Sequence, residues 1–136
     1  MSNIPSFADA PFHCPADIVL DLPPPVSVNR IWRARKAGKK RVRISPEYAA
    51  WKIEADKLSI ATGAFRGLKP IRGKFEAQLI IRRRNGDLDN FSKGVLDWLQ
   101  SRAVIVNDKF CERLVVEWGE APAGARVIVK PLGTDQ

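Results

Sequence analysis

Residues 74–99, KFEAQLIIRRRNGDLDNFSKGVLDWL, decide the fold because they join a strand pattern to a helix pattern through a turn. Apolar residues alternate through residues 74–83, which predicts a strand with one buried face. That face carries Phe75, Ala77, Leu79 and Ile81. Asn85 and Gly86 break the pattern, and a helix is predicted from about Asn90 to Ser101.

The rest of the chain adds one strand and one helix before this stretch and two strands after it. The first strand is predicted at residues 17–22, and a helix at Ser45, where a serine N-cap precedes a proline, with a stop at Gly63. Two further strands are predicted around Arg113–Trp118 and Arg126–Lys130, joined as a hairpin by the Pro122–Gly124 turn.

This order of elements predicts a single α+β domain, with a mixed sheet and two main helices. Its predicted bounds are residues 17–136, because residues 1–16 contain three prolines and no periodicity and are interpreted as a flexible N-terminal tail. The length of 136 residues fits one domain.

Composition excludes several functional classes. The longest apolar runs are four residues, so no membrane span is expected, and the N-terminus lacks the pattern of a secretory signal. Two cysteines, Cys14 and Cys111, are too few for a disulfide scaffold and fit a reducing cytosol. A single histidine, His13, argues against histidine metal clusters. Any catalysis is therefore expected from carboxylates, lysines or a bound metal.

Positive charge is concentrated in one segment. The net charge is +8, and the eight basic residues between positions 30 and 43 equal it, so the rest of the chain is neutral. These residues are Arg30, Arg33, Arg35, Lys36, Lys39, Lys40, Arg41 and Arg43. A cationic segment on a neutral body favours a polyanion partner, and Trp32 within it could stack on a base. The alternative is a solvated loop that keeps the protein soluble.

An acidic cluster is predicted next to the turn of the deciding stretch. Asp87 and Asp89 follow the strand directly, and Asp108 returns after the helix, so the three carboxylates can meet in one place. Such a cluster is tolerable around a hard cation, and Mg²⁺ prefers carboxylate oxygens and retained waters. The alternatives are an N-cap role for Asp89 and turn roles for Asp87 and Asp108.

Lys93 lies four residues after Asp89, one helical turn along, so its ammonium can reach the same place. Beside a phosphate, it could hold the scissile group and offset charge in the transition state. A solvent-facing lysine paired with Asp89 or Asp97 is the alternative.

Residues 87–93 read D-L-D-N-F-S-K, and V-L-D-W-L and the acidic turn at Asn107–Asp108 follow them. This pattern resembles the RusA family of Holliday junction resolvases. The upstream PPPVSVNRIW is similar to that family's N-terminal segment. The resemblance covers roughly residues 17–130. Where the family often has two consecutive aspartates in the second turn, this chain has Asn107 before Asp108.

The resemblance implies a small α+β domain that works as a homodimer on branched DNA. It implies that Asp87, Asp89 and Asp108 are catalytic aspartates that bind Mg²⁺, with Mn²⁺ as the possible substitute, and that Lys93 is the catalytic lysine. It further implies a role in DNA recombination and repair, in the cytoplasm of a bacterial or phage-infected cell. Two rivals stay open: a nuclease for flaps or forks, and a non-catalytic DNA-binding module.

Overall fold

The computed structural model describes residues 17–27, 32–34 and 42–132, with the backbone alone described at residues 32–34 and 42–44. Within these ranges the chain forms six strands and two α-helices. The strands are β1 (Ile18–Leu22), β2 (Trp32–Ala34), β3 (Val42–Ile44), β4 (Phe75–Ile81), β5 (Cys111–Trp118) and β6 (Ala125–Pro131). The helices are α1 (Pro46–Ala61) and α2 (Ser92–Ser101).

The main sheet has four strands in the order β1-β6-β4-β5. Strand β6 pairs antiparallel with both β1 and β4, whereas β4 and β5 are parallel. A mixed sheet with two helices confirms the predicted α+β class. The predicted hairpin between the last two strands is wrong, because β6 leaves β5 and inserts between β1 and β4. Burial explains the difference: β6 is mostly buried and suits the sheet centre, while β5 carries exposed charges and suits an edge.

The hydrophobic core lies on one face of the sheet, as the alternation in β4 predicts. Phe75, Ala77, Leu79 and Ile81 are at most 1% exposed. Helix α2 supplies Trp98, whose indole meets that of Trp51 from α1 edge to face, with ring centroids 5.9 Å apart. These aromatic contacts hold both helices against the same face of the sheet.

Helix α1 begins as its capping pattern predicts. The Ser45 hydroxyl accepts a hydrogen bond from the Tyr48 backbone N–H at 3.1 Å, with Pro46 at the first helical position. Gly63, just after the helix, adopts a φ of +74°, which confirms it as the stop. Tyr48 then donates its hydroxyl to the Gly94 carbonyl at 2.8 Å and ties α1 to α2. Burial, and secondarily the charge of Asp97, raises the pKa of Tyr48, so this tie persists at neutral pH.

The second predicted helix starts later than expected and in a different form. A 3-10 turn covers Leu88–Phe91, and the α-helix proper begins at Ser92 and ends at Ser101. The buried Phe91 closes the turn against the core. Asp89 and Asn90 therefore lie in the tighter turn, and Lys93 lies at the second residue of α2.

Two short paired strands lie within the basic segment. Strands β2 and β3 pair antiparallel, with Arg33 and Arg43 as register partners. Trp32 also lies on β2, but the other basic residues of the segment lie outside the described residues, as does the predicted tail at residues 1–16. Among the residues that are described, no helix is long and apolar enough to cross a membrane.

Candidate active site

Two arginines fix the chain as it leaves β4 toward the acidic pair. Arg82 donates to the carbonyls of Ala121 and Pro122, at 2.8 and 2.7 Å. Arg84 donates to the Pro25 carbonyl at 2.6 Å, and its guanidinium lies 4.8 Å from the Phe91 ring centre. These contacts anchor residues 82–91 to the loops at this end of the sheet, so the following turn has a defined position.

Asp87 and Asp89 lie in this turn with free carboxylates. Asp87 occupies the N-cap position of the 3-10 turn, but its side chain makes no capping hydrogen bond. Both residues are exposed, and within the described ranges neither carboxylate has a hydrogen bond or ion pair. The capping alternative therefore loses its support, since neither carboxylate is used by the local backbone.

Gly86 sets the path of the chain into Asp87. Its φ is +121°, and a Cβ at this position would lie 2.7 Å from Cζ of Phe91. The missing side chain thus lets the turn fold over a buried ring. Any larger residue has to displace either the ring or the turn.

On the nuclease activity that the resemblance implies, we expect Gly86→Ala to lower DNA cleavage at saturating protein by about 10- to 100-fold, because a shift of about 1 Å at catalytic groups has effects of that size. Gly67→Ala is the matched control, since Gly67 also has a positive φ, +70°, but nothing lies within 4 Å of its added Cβ. Cleavage rates and thermal melting of both variants separate misplacement from reduced stability. Equal cleavage by the two variants would contradict a positioning role for Gly86.

Lys93 and Asp108 approach each other from separate segments of the chain. The Lys93 Nζ lies 3.9 Å from Oδ2 of Asp108 and 3.2 Å from Oδ1 of Asp97, which is one turn further along α2. The side chain of Lys93 is half exposed and that of Asp108 is 31% exposed. The ammonium is therefore held between two carboxylates while one side remains open to solvent, where a phosphate could approach.

Asn107 explains how Asp108 keeps its carboxylate available. The Asn107 side chain accepts a hydrogen bond from the Lys109 backbone N–H at 2.9 Å and caps a short 3-10 turn, Asp108–Phe110. The Asp108 backbone N–H donates to the Gln100 side chain at 2.9 Å. The side chain that caps this turn is therefore that of Asn107, and not that of Asp108 as the turn alternative assumed.

The structure brings Lys93 together with Asp108, but among the described residues no three acidic, histidine or cysteine side chains lie close enough to hold a metal ion. The three-aspartate site therefore stays a prediction. The donor chemistry suits a hard divalent cation, because the Asp87 and Asp89 oxygens have no partner within the described ranges and Asp108 has a long contact with Lys93. The resemblance implies that those three carboxylates would hold it.

Two residues close in sequence to the candidate site residues were not themselves assigned to the site from the sequence. Asp97 is the closer ion-pair partner of Lys93, which is one of the two pairings that the solvent-facing alternative predicted from the sequence. Arg83 lies with its guanidinium 5.1 Å from the Trp118 ring centre, close in sequence to the acidic pair. Only the pairing of β4 with β5 reveals that contact, because residues 83 and 118 are far apart in the chain.

A half-exposed lysine held between Asp97 and Asp108 favours a phosphate ester as the class of substrate, since a lysine complements phosphate charge and carboxylates bind hard cations. The family comparison agrees with this class. The model of the family described as endodeoxyribonuclease RusA matches residues 21–130. This match covers most of the chain, which therefore belongs to the RusA endodeoxyribonuclease family. A search of curated proteins finds no match.

Proposed function

We propose that this protein is a Mg²⁺-dependent endodeoxyribonuclease that resolves four-way DNA junctions by paired symmetric nicks during recombination and repair. The observation that carries the proposal is the family match over residues 21–130 on a chain that holds Lys93 against Asp108. Resemblance to the family supplies the junction as substrate, and the free carboxylates support the metal dependence.

The residues divide the proposed reaction between them. Asp87, Asp89 and Asp108 would hold one or two Mg²⁺ ions, and the chemistry that the metal would supply is activation of a water and polarisation of the phosphate. Lys93 offsets the charge that develops on the scissile phosphate, and Asp97 keeps the ammonium beside the site. Arg83 lies with its guanidinium against an aromatic face and offers in-plane donors to a neighbouring phosphate.

The basic segment between residues 30 and 43 is the proposed surface for the arms of the junction. Eight positive charges per protomer become sixteen in a homodimer, and a dimer with two-fold symmetry matches the near two-fold symmetry of a four-way junction. A bacterial or phage-infected cytoplasm is the proposed location of such an enzyme.

Neutralising Lys39, Lys40 and Arg41 together by substitution with Gln should weaken junction binding and flatten its salt dependence. The slope of log K against log salt should fall by about one unit for each phosphate that the protein no longer neutralises. Cleavage at saturating protein should be partly recovered, because the aspartates are untouched. An unchanged slope in filter-binding titrations would place the segment away from DNA.

Cleavage of end-labelled substrates, with Mg²⁺ and with chelator, tests the proposed function against its rivals. The panel is a four-way junction, a flap, a fork and a linear duplex of the same sequences. We expect symmetric nicks in opposed strands of the junction, only with metal. Faster cutting of flaps or forks would identify the less selective nuclease, and metal-independent binding without cutting would identify a DNA-binding module.

A further inference from the structure

Strand β5 is an edge strand with an incompletely covered apolar side. Within the described part of the chain it has a strand neighbour, β4, on one side only. Leu114, Val116 and Trp118 are the register partners of the buried Ala77, Leu79 and Ile81, so they share the core-facing side of the sheet. Nevertheless Leu114 is 40% exposed, and Val116 and Trp118 are only partly buried.

The backbone of β5 also has hydrogen-bonding groups on its free side. Just after the strand, the Gly119 N–H donates to the Ile81 carbonyl of β4 at 2.9 Å. Successive residues of a strand direct their N–H groups to alternate sides, so Leu114 and Val116 direct theirs away from β4. An exposed edge of this kind is a template for another strand unless charges or bulges protect it.

The charges on β5 do not repel every possible partner, because they complement a second copy of the same strand. In an antiparallel pair centred on Val115, each Arg113 faces the Glu117 of the other copy, and each Leu114 faces a Val116. Moving the centre of the pair to residue 113 sets Arg113 against Arg113, and moving it to residue 117 sets Glu117 against Glu117. Sliding it by one residue leaves the charges without a cross-strand partner of opposite sign.

Neighbours of these charges extend the same pattern into each protomer. Arg113 Nη1 lies 3.2 Å from Oε2 of Glu76, and Glu117 accepts a hydrogen bond from the Gln78 side chain. In the centred register these contacts form one continuous line across both copies. Glu76 contacts Arg113, Arg113 faces Glu117 of the second copy, and that Glu117 contacts Gln78 of its own chain. This line lies on the sheet face opposite the helices.

We propose that β5 pairs antiparallel with β5 of a second copy of this chain, centred on Val115, and joins two four-stranded sheets into one. The inference rests on the homodimer of the proposed function and assigns its interface. Leu114 and Val116 supply the edge hydrogen bonds and the apolar contact, and Arg113 with Glu117 fixes the register. The partner is a second copy because the charge pattern is self-complementary.

Charge exchange tests the register. Arg113→Glu and Glu117→Arg, each alone, should weaken dimerisation by about 10- to 100-fold in sedimentation equilibrium, because two attractions become repulsions. Mixing the two variants should restore a heterodimer, since both cross-strand pairs are then of opposite charge, and native mass spectrometry distinguishes it from homodimers. A wild-type monomer at high concentration, unaffected single variants, or a mixture that fails to dimerise would each overturn the proposal.

A cysteine cross-link tests the same register without altering a charge. In a background with Cys14 and Cys111 replaced by Ser, Val115→Cys should form a disulfide dimer under mild oxidation, because the two copies of residue 115 form a directly opposed, closely spaced pair. Val19→Cys, on the opposite edge strand β1, is the matched control and should stay uncross-linked. Equal cross-linking of both variants, or none at residue 115, would contradict the interface.

The two proposals fail separately in these experiments. If the protein cleaves junctions but neither dimerises nor cross-links at residue 115, the proposed β5 interface is wrong and the proposed nuclease function stands. If a cross-linked dimer binds DNA but cuts nothing in Mg²⁺, the proposed interface stands and the proposed nuclease function is wrong.

Discussion

Asp89→Asn should abolish junction cleavage, with a fall of about 1,000-fold or more at saturating protein, while the DNA remains bound. The substitution keeps the size of the side chain but removes a negative ligand, so the divalent cation is lost from the proposed site. Asp87→Asn and Asp108→Asn should behave alike. Single-turnover cleavage and gel-shift titration with the same labelled junction measure the two effects.

Retained binding distinguishes a catalytic role from a folding role for these aspartates. Removing a carboxylate near the scissile phosphate relieves repulsion, so binding should be unchanged or tighter. Glu54→Gln is the matched control, because Glu54 is an exposed carboxylate on α1 that forms a 3.9 Å ion pair with Lys57, away from the acidic turn. Asn variants that cut at the wild-type rate would show that the three-aspartate site is wrong.

Lys93→Ala should lower cleavage by about 100- to 1,000-fold, the size of effect seen when one group that stabilises transition-state charge is removed. Its ammonium is held at 3.2 Å from Asp97 and 3.9 Å from Asp108, so its position beside the proposed metal ligand is fixed before DNA arrives. Cleavage should fall far more than junction affinity. Both quantities come from the same single-turnover series at increasing protein concentration.

Lys57→Ala is the matched control for this variant. Lys57 is also an exposed helical lysine in an ion pair, with Glu54 on α1. Its removal should leave cleavage within about twofold, because exposed surface ion pairs contribute little. If Lys93→Ala instead weakens binding and cleavage equally, Lys93 is a phosphate anchor and not a group that acts in the chemical step.

Local patterns predicted most of the secondary structure because the information is local. The alternation in residues 74–83 reflects a strand with one buried face, and the Ser45–Pro46 pair marks a helix start through a hydrogen bond between residues three apart. The order in which the strands pair could not be predicted from these local patterns. Residues 122–124 have turn chemistry, but β6 goes to the sheet centre because its burial there outweighs the short connection.

The candidate site was likewise predictable from the sequence only in part. The turn at Asp108 was readable from the sequence, and the structure places Lys93 Nζ 3.9 Å from Asp108, whereas the approach of Lys93 to Asp87 and Asp89 stays a prediction. The positions of Arg83 and Gly86 were not readable. Each depends on a ring supplied by another element, Trp118 or Phe91, and such contacts follow from packing and not from local pattern.

Whether Asp87, Asp89 and Asp108 hold one divalent cation is tested most directly by titrating the protein with Mn²⁺, in the presence of a non-cleavable junction, and counting bound ions by electron paramagnetic resonance. We expect saturable binding by the wild type, weakened at least about tenfold in each single Asn variant and abolished when all three are replaced. Binding in the triple variant equal to that of the wild type would contradict the site.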